Sequence, residues 1–240
     1  MSNTTATVHP IEPVSSQPSR AEEVYAQLKR DIVDFRLVPG DRFSEHDICN
    51  RLAVSRTPVR QALFRLQQEG LVEVMFRSGW RVLPFDFDRF DQLYDLRMVL
   101  ETAAAQRLCQ QASTESSPLL EGLKERWLVP VGERSSDAAQ VAAWDEAFHE
   151  TLVQAAGNPE MARVHHEVTE RIRIIRRLDF LKQMRIDATY EEHAKILRAI
   201  LARKADRAEL LLRSHIQSSQ VEVRKITLHQ VFLARQAVDG

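Results

Sequence analysis

Cysteine is nearly absent: the 240 residues contain only Cys49 and Cys109. They stand far apart, inside helical patterns, so reduced thiols packed as small apolar side chains are expected rather than a disulfide framework. No apolar run approaches the ~20 residues of a membrane-spanning helix. No basic segment followed by an apolar core opens the chain, which argues against a secretory signal and for the cytoplasm. Neither charge sign dominates: 33 Lys and Arg face 34 Asp and Glu, for a formal net charge of −1. That balance argues against nonspecific coating of nucleic acid and leaves room only for a local basic patch. Glycine and proline are scarce after residue 85, and β-branched alternation stops there, so the second half reads as all helix. Internal repeats and low-complexity tracts are absent.

The first half holds one stretch of unusual density, Val54-Ser55-Arg56-Thr57-Pro58-Val59-Arg60-Gln61-Ala62-Leu63. Ser55 is placed to cap a helix through its hydroxyl, and Pro58 falls in the first turn, where a missing N–H removes no helical bond. Val59, Ala62, Leu63 and Leu66 recur at i, i+3, i+4, i+7 and form one buried stripe. Thr57, Arg60, Gln61 and Arg65 face the other way, and between Arg51 and Arg65 stand four arginines and no acid. Such a face suits phosphates and base edges, although a solvated amphipathic helix has the same pattern.

The neighbours decide between the two. Residues 43–52 form a second short helix capped by Ser44, and Ala53-Val54 makes the tight turn of a helix-turn-helix. Two short alternating runs, 69–74 and 79–83, read as a β-hairpin wing joined by Met75-Phe76-Arg77-Ser78. The segment 20–83 resembles the winged helix-turn-helix of the GntR family of bacterial transcription regulators. Pro39-Gly40-Asp41, Ser44-Glu45, the Val54–Arg60 run, Ala62-Leu63, Leu66, Glu69-Gly70-Leu71-Val72 and Gly79 carry the likeness. It implies DNA contact by Ser55, Arg56, Thr57 and Arg60, with Gln61 and Arg65 in second rank and Arg77, Ser78 and Gly79 on the wing. Phe64 projects outward and is expected to pack on the second domain.

The expected organisation is a disordered tail over 1–18, a winged helix-turn-helix over 19–83, a junction at 84–88, and an all-α antiparallel bundle of about six or seven helices over 89–235. The bundle helices are expected near 86–111, 117–128, 136–156, 159–181, 189–204 and 206–234, with Thr189 and Glu192 as a capping box. Phe90, Leu93, Leu96, Leu100, Ala104 and Leu108 form the inner stripe of the first.

A helical wheel places polar groups among apolar ones. Asp145 and His149, spaced i, i+4, lie on or beside the stripe of Val141, Trp144, Phe148 and Leu152. His193 is central to Ile196, Leu197 and Ile200. His215 shares a face with Ala208, Leu211, Ile226 and Leu233. One inward histidine is ordinarily a satisfied core residue, but a carboxylate and three imidazoles from three helices are hard to explain as packing. A divalent metal would satisfy all four, and the N3O set suits Zn, Ni, Mn or Fe without choosing among them. His165 and His166 read as ordinary.

Arg97 and Arg171 also fall on apolar stripes. An inward guanidinium wants an anion, either a protein carboxylate such as Glu101 or Glu167, or the carboxylate of a small organic acid beside the metal. The run Leu93–Glu101 and the set Asp145, His149, His193 and His215 are similar to the FCD domain of the FadR subgroup, in which an Asp-x3-His and two later histidines hold a metal. Together the resemblances imply a homodimeric regulator, a repressor, that reads a palindromic double-stranded operator and senses a small carboxylic acid, with no membrane partner. The rival readings are a metal-dependent enzyme and a regulator whose metal is purely structural.

Overall fold

The computed structural model describes residues 18–76, 78–111, 117–179 and 183–226. It separates into two compact units. One contains 18–30 and 42–81; the other contains 31–41 and the helices from 82 onward.

The first unit is built on α2 (Glu45–Leu52) and α3 (Arg56–Glu69). Ser44 caps α2 in a reciprocal capping box with Asp47, an arrangement that satisfies two free N–H groups at once. Ala53 ends α2 at φ 52° and turns the chain into α3. Ser55 occupies the N-cap of α3 in extended conformation, but its side chain makes no capping hydrogen bond; the expected hydroxyl contact is not formed. Val59, Ala62, Leu63 and Leu66 are buried as expected. Tyr25 and Lys29 of α1 (Arg20–Val33) both hydrogen bond to Glu69, at 2.6 and 2.9 Å.

Strands β2 (Val72–Met75) and β3 (Gly79–Val82) form the wing, and β1 (Arg42–Phe43) completes a sheet of order β1-β3-β2. The two-residue β1 is too short to announce itself by alternation. It pairs antiparallel with β3, Phe43 opposite Trp80. Gly79 sits at φ +83°, and a Cβ there would lie 2.6 Å from the Phe43 carbonyl oxygen. Glycine is therefore required by the close approach of two backbones.

The second unit is a bundle of α4 (Phe87–Gln110), α5 (Pro118–Trp127), α6 (Ala138–Ala155), α7 (Pro159–Asp179), α8 (Gln183–Leu201) and α9 (Ala205–Arg224). Asp86 and Asp137 cap α4 and α6. Helix α4 touches α6, α7, α8 and α9, so its buried arc is broad. That arc runs through Tyr94, Arg97 and Glu101, whereas the expected inward Leu96 is 41% exposed. Helix α8 begins six residues before the expected start. Thr189 is therefore mid-helix, with its Oγ1 donating to the Arg185 carbonyl at 2.8 Å instead of capping. Leu233 and the expected C-terminal part of the last helix lie outside the described residues.

Candidate metal centre

Asp145 and His149 are one turn apart on α6 and fall on the same face. His193 comes from α8 and His215 from α9. All four side chains are essentially inaccessible, and each offers a ligand atom within 4.8 Å of every other. His149 Nε2 lies 3.1 Å from His215 Nε2, and His193 Nε2 lies 3.4 Å from the same atom. Asp145 Oδ1 is 3.2, 3.7 and 4.0 Å from the Nε2 atoms of His193, His149 and His215. Groups that share one cation at ~2.0–2.2 Å each stand ~3–3.5 Å apart.

The groups behind the histidines sharpen this fit. His149 Nδ1 donates to Glu101 Oε2 at 2.5 Å. His215 Nδ1 donates to Glu192 Oε2 at 2.6 Å. With those protons on Nδ1, a neutral imidazole turns a lone pair inward at Nε2. Two inward lone pairs 3.1 Å apart have no hydrogen between them, and Asp145 Oδ1, also buried, accepts no hydrogen bond. A metal cation is the partner that suits all of these donors together. The residues could therefore hold one.

Electrostatics keeps Asp145, His193 and His215 in their ligating forms. Burial alone would push the Asp145 carboxyl up, but the Arg176 guanidinium and the neighbouring His149 and His193 imidazoles hold it well below the usual range. Burial drives the His193 imidazole down to about 3 against the pull of Asp145. Burial, with His193 and His149 adding to it, puts His215 well below its ordinary value. His193 also stacks on Phe148, centroids 3.8 Å apart, and meets the edge of Trp127 at 4.3 Å.

Of the two arginines expected to face inward, one does. Arg97 is fully buried, and its Nε donates to Glu101 Oε1 at 2.5 Å. This is the protein-carboxylate alternative, yet Nη1 and Nη2 remain without partners. Arg171 is exposed. The buried arginine of α7 is instead Arg176, which contacts Asp145 and leaves Nε and Nη1 without partners. On α7 the buried side runs through His165, Val168, Ile172, Ile175 and Arg176, which leaves Arg171 on the outer side. His165 is not ordinary either: it is buried and its Nε2 lies 3.0 Å from Glu101 Oε1. His166 is exposed beside Glu150. Glu101 thus joins Arg97, His149 and His165. Burial would raise its carboxyl, but Arg97 and the two histidines hold it well below the usual range.

In the first unit, Arg56, Thr57, Arg60 and Gln61 are exposed on α3. Arg60 is held by Glu45, Nε to Oε2 at 2.8 Å. Arg65 lies 3.8 Å over the Tyr25 ring. Phe64, expected on the second domain, packs edge-to-face on Trp80 at 5.8 Å. Ser78 is exposed at the wing turn, and Arg77 lies outside the described residues.

Comparison with known families matches "Bacterial regulatory proteins, gntR family" to residues 20–82 and "FCD domain" to residues 92–218. The chain belongs to the GntR family and carries an FCD domain. It is a DNA-binding transcriptional regulator. This GntR regulator is 29% identical over 195 residues to the Nta operon transcriptional regulator of Aminobacter aminovorans, covering 81% of this chain and 90% of that one. It is 25% identical to the HTH-type transcriptional repressor RspR of Escherichia coli K12, covering 91% and 92%. Among solved structures, a GntR regulator from Rhodococcus sp. RHA1 shares the fold with a TM-score of 0.69 at 23% identity, covering 88% of this chain and all of that one. These relatives and domains are regulators, which sets aside the metal-dependent enzyme. Among the described residues, no helix is long and apolar enough to cross a membrane.

Proposed function

We propose that this GntR regulator senses a small organic acid at a divalent metal held by Asp145, His149, His193 and His215, and that acid binding changes its affinity for an operator. The observation that carries the reading is the inward convergence of four buried donors, two of them held from behind by Glu101 and Glu192. The metal, Zn, Ni, Mn or Fe, supplies a Lewis-acidic anchor for a carboxylate. The protein's part is to fix the imidazoles, exclude water and offer the free N–H groups of Arg97 to the same anion. Those free donors favour a sensor over a purely structural metal. A buried guanidinium with two idle nitrogens is expensive unless an anion visits it.

On the DNA side, Arg56, Thr57 and Arg60 reach base edges or flanking phosphates from the start of α3, where Ser55 sits, with Gln61 and Arg65 in second rank. Arg77 and Ser78 touch the neighbouring groove from the wing; Gly79 shapes that wing. The working species is a homodimer on a palindromic site, and the regulation is repression, in line with the name of the RspR relative.

The test is metal analysis of the purified full chain, then thermal melting with small carboxylic acids on metal-loaded and metal-stripped samples. The expected result is one metal per chain and an acid that raises the melting temperature only when metal is present, and that alters operator binding. Absence of metal binding would overturn the reading. Bound metal with no response to any acid would leave the metal a structural role.

A further inference from the structure

Among the described residues of the first unit, the large apolar side chains left exposed are Phe64 on α3, Val74 on β2 and Phe76 at the wing turn. Phe76 is 85% exposed, more than any other large apolar side chain described. One exposed apolar residue is ordinary. Three of them on α3 and the wing strand that touches it, in a unit whose other large apolar side chains are covered, mark a contact surface.

The Phe76 ring is also presented on a stiff support. The Ser78 N–H donates to the Met75 carbonyl at 3.0 Å, and the Ser78 hydroxyl donates to the Phe76 carbonyl at 3.3 Å, so the turn backbone is tied on either side of the ring. Below the turn, Arg81 pairs with Glu73 across the two strands, Nε to Oε1 at 2.7 Å. Strand β3 is anchored in turn on β1, with Trp80 opposite Phe43. A hairpin held this way has little freedom left to lose on binding.

The partner of this surface is duplex DNA, since it belongs to the DNA-binding unit of a regulator and adjoins α3. With α3 in the major groove, the wing meets the neighbouring minor groove. A phenyl ring has no donor, acceptor or charge for phosphates or for the base edges exposed there. The apolar surfaces that groove can offer it are base faces, which open only where a step is prised apart.

We infer that Phe76 acts as an apolar wedge in the minor groove, partly unstacking one base step and bending the operator there. The inference rests on the wing contact proposed above. Such wedges kink the duplex toward the major groove, which here folds it around α3 and toward Arg56 and Arg60. Unstacking is easiest at pyrimidine–purine steps. Phe76 therefore selects operators that carry TA, CA or TG under the wing, with no hydrogen bond to any base.

The test uses the full chain and the duplex it enriches from a random library. 2-Aminopurine, which brightens when unstacked, is placed at successive flank positions, and a dye pair on the duplex ends reports bending. The expected result is brightening at one flank step, a shorter end-to-end distance, and enrichment of a pyrimidine–purine step at that place. In Phe76→Ala the brightening and the bend should disappear and affinity should fall about tenfold. Phe76→Leu should keep the bend, since leucine also wedges. A mismatch at that step, already loosened, should bind the unaltered protein about fivefold tighter and Phe76→Ala no tighter. Phe76→Ala with unaltered affinity and bend overturns the wedge; if Arg77→Ala still weakens binding, the wing contact stands, and if neither variant matters, both fall. Unaltered DNA binding with a changed sedimentation coefficient assigns the ring to a protein contact and likewise overturns the wedge. An 85% exposed side chain contributes little to the core, so Phe76→Ala should melt with the unaltered protein, which separates these outcomes from misfolding.

Discussion

Replacing Glu101 by glutamine tests the ionic core with one atom's change. The Glu101 carboxylate takes three donors: Arg97 Nε and His165 Nε2 on Oε1, and His149 Nδ1 on Oε2. A glutamine has one carbonyl oxygen and one NH2. If its oxygen takes the Oε1 place, the NH2 meets His149 Nδ1. The imidazole must then move its proton to Nε2, onto the lone pair that faces the other ligands. If its oxygen takes the Oε2 place, the NH2 meets Arg97 and His165, and two donors are left idle. In both cases Arg97 loses its counter-ion in a fully buried site. Breaking one side of a buried ion pair costs about 3–5 kcal/mol. At ~2–4 °C per kcal/mol for a unit of this size, the metal-free protein should melt roughly 6–20 °C lower. Loss of a carboxylate that orients a metal-ligating histidine lowers metal affinity by about 10–100-fold. The assays are calorimetric melting of stripped protein and competition of loaded protein with a chelator. A melting temperature within ~2 °C of the unaltered protein would refute the ionic core. A large melting loss with metal affinity within ~2-fold would refute the orienting role of Glu101.

Three further outcomes are expected. Gly79→Ala should lower stability by about 2 kcal/mol or more, because it combines a left-handed backbone with a Cβ against the Phe43 carbonyl; unfolding in urea measures it, and an unchanged midpoint would return Gly79 to a DNA-contact role. Arg60→Ala should weaken operator binding by about 1–3 kcal/mol with the fold intact, since its Glu45 pair is exposed and worth ~1 kcal/mol or less; unchanged affinity at physiological salt would remove Arg60 from the recognition surface. Metal-free protein should lose stability on acidification from pH 7 to pH 5. His193 is neutral in the folded state down to about 3, and His215 is likewise depressed. Both accept protons near pH 6.5 once unfolded, so the unfolded state binds more protons in this window and gains as pH falls. Each contributes about 2 kcal/mol between those pH values. Glu101 and Asp145, with depressed carboxyls, add their losses only below ~4. Urea midpoints that are flat from pH 7 to 5 would contradict the buried neutral histidines.

The convergence of Asp145, His149, His193 and His215 was legible in the sequence because each is a polar side chain on an otherwise apolar face. Asp145 and His149 also share the i, i+4 spacing, which places them on one face before any tertiary fact is known. The helix-turn-helix was legible for a different reason, its dense local signals of caps, turn and stripe. What sequence reading missed lies where two faces of one helix are both buried. Helix α7 carries four arginines within seven residues, at 171, 173, 176 and 177. Choosing the inward one requires knowing how wide the buried arc is, and that depends on neighbours. The same holds for α4, where Glu101 follows Arg97 by one turn and lies on the face that other helices cover. His165 did leave a trace, since it repeats at +3, +7 and +10 with Val168, Ile172 and Ile175. Glu192 was read as a cap because its spacing from Thr189 fits one; its role behind His215 depends on α9, which no local pattern reveals.

Five helices meet in one cluster of charge. Helix α4 gives Arg97 and Glu101, α6 gives Asp145 and His149, and α7 gives His165 and Arg176; α8 gives His193 and Glu192, and α9 gives His215. For stability alone this is a poor core, since apolar side chains of similar volume serve as well or better. Under the proposed sensing role it has a use. An effector shifts a two-state equilibrium only by its difference in affinity for the two states, and moving it from 1:99 to 99:1 takes about 5.5 kcal/mol. One hydrogen-bonded contact to a charged group supplies about 1.5–3 kcal/mol. A ligand that reached Arg97 alone would fall short of a full switch. The cluster places a second guanidinium with unpartnered nitrogens, that of Arg176, on a different helix.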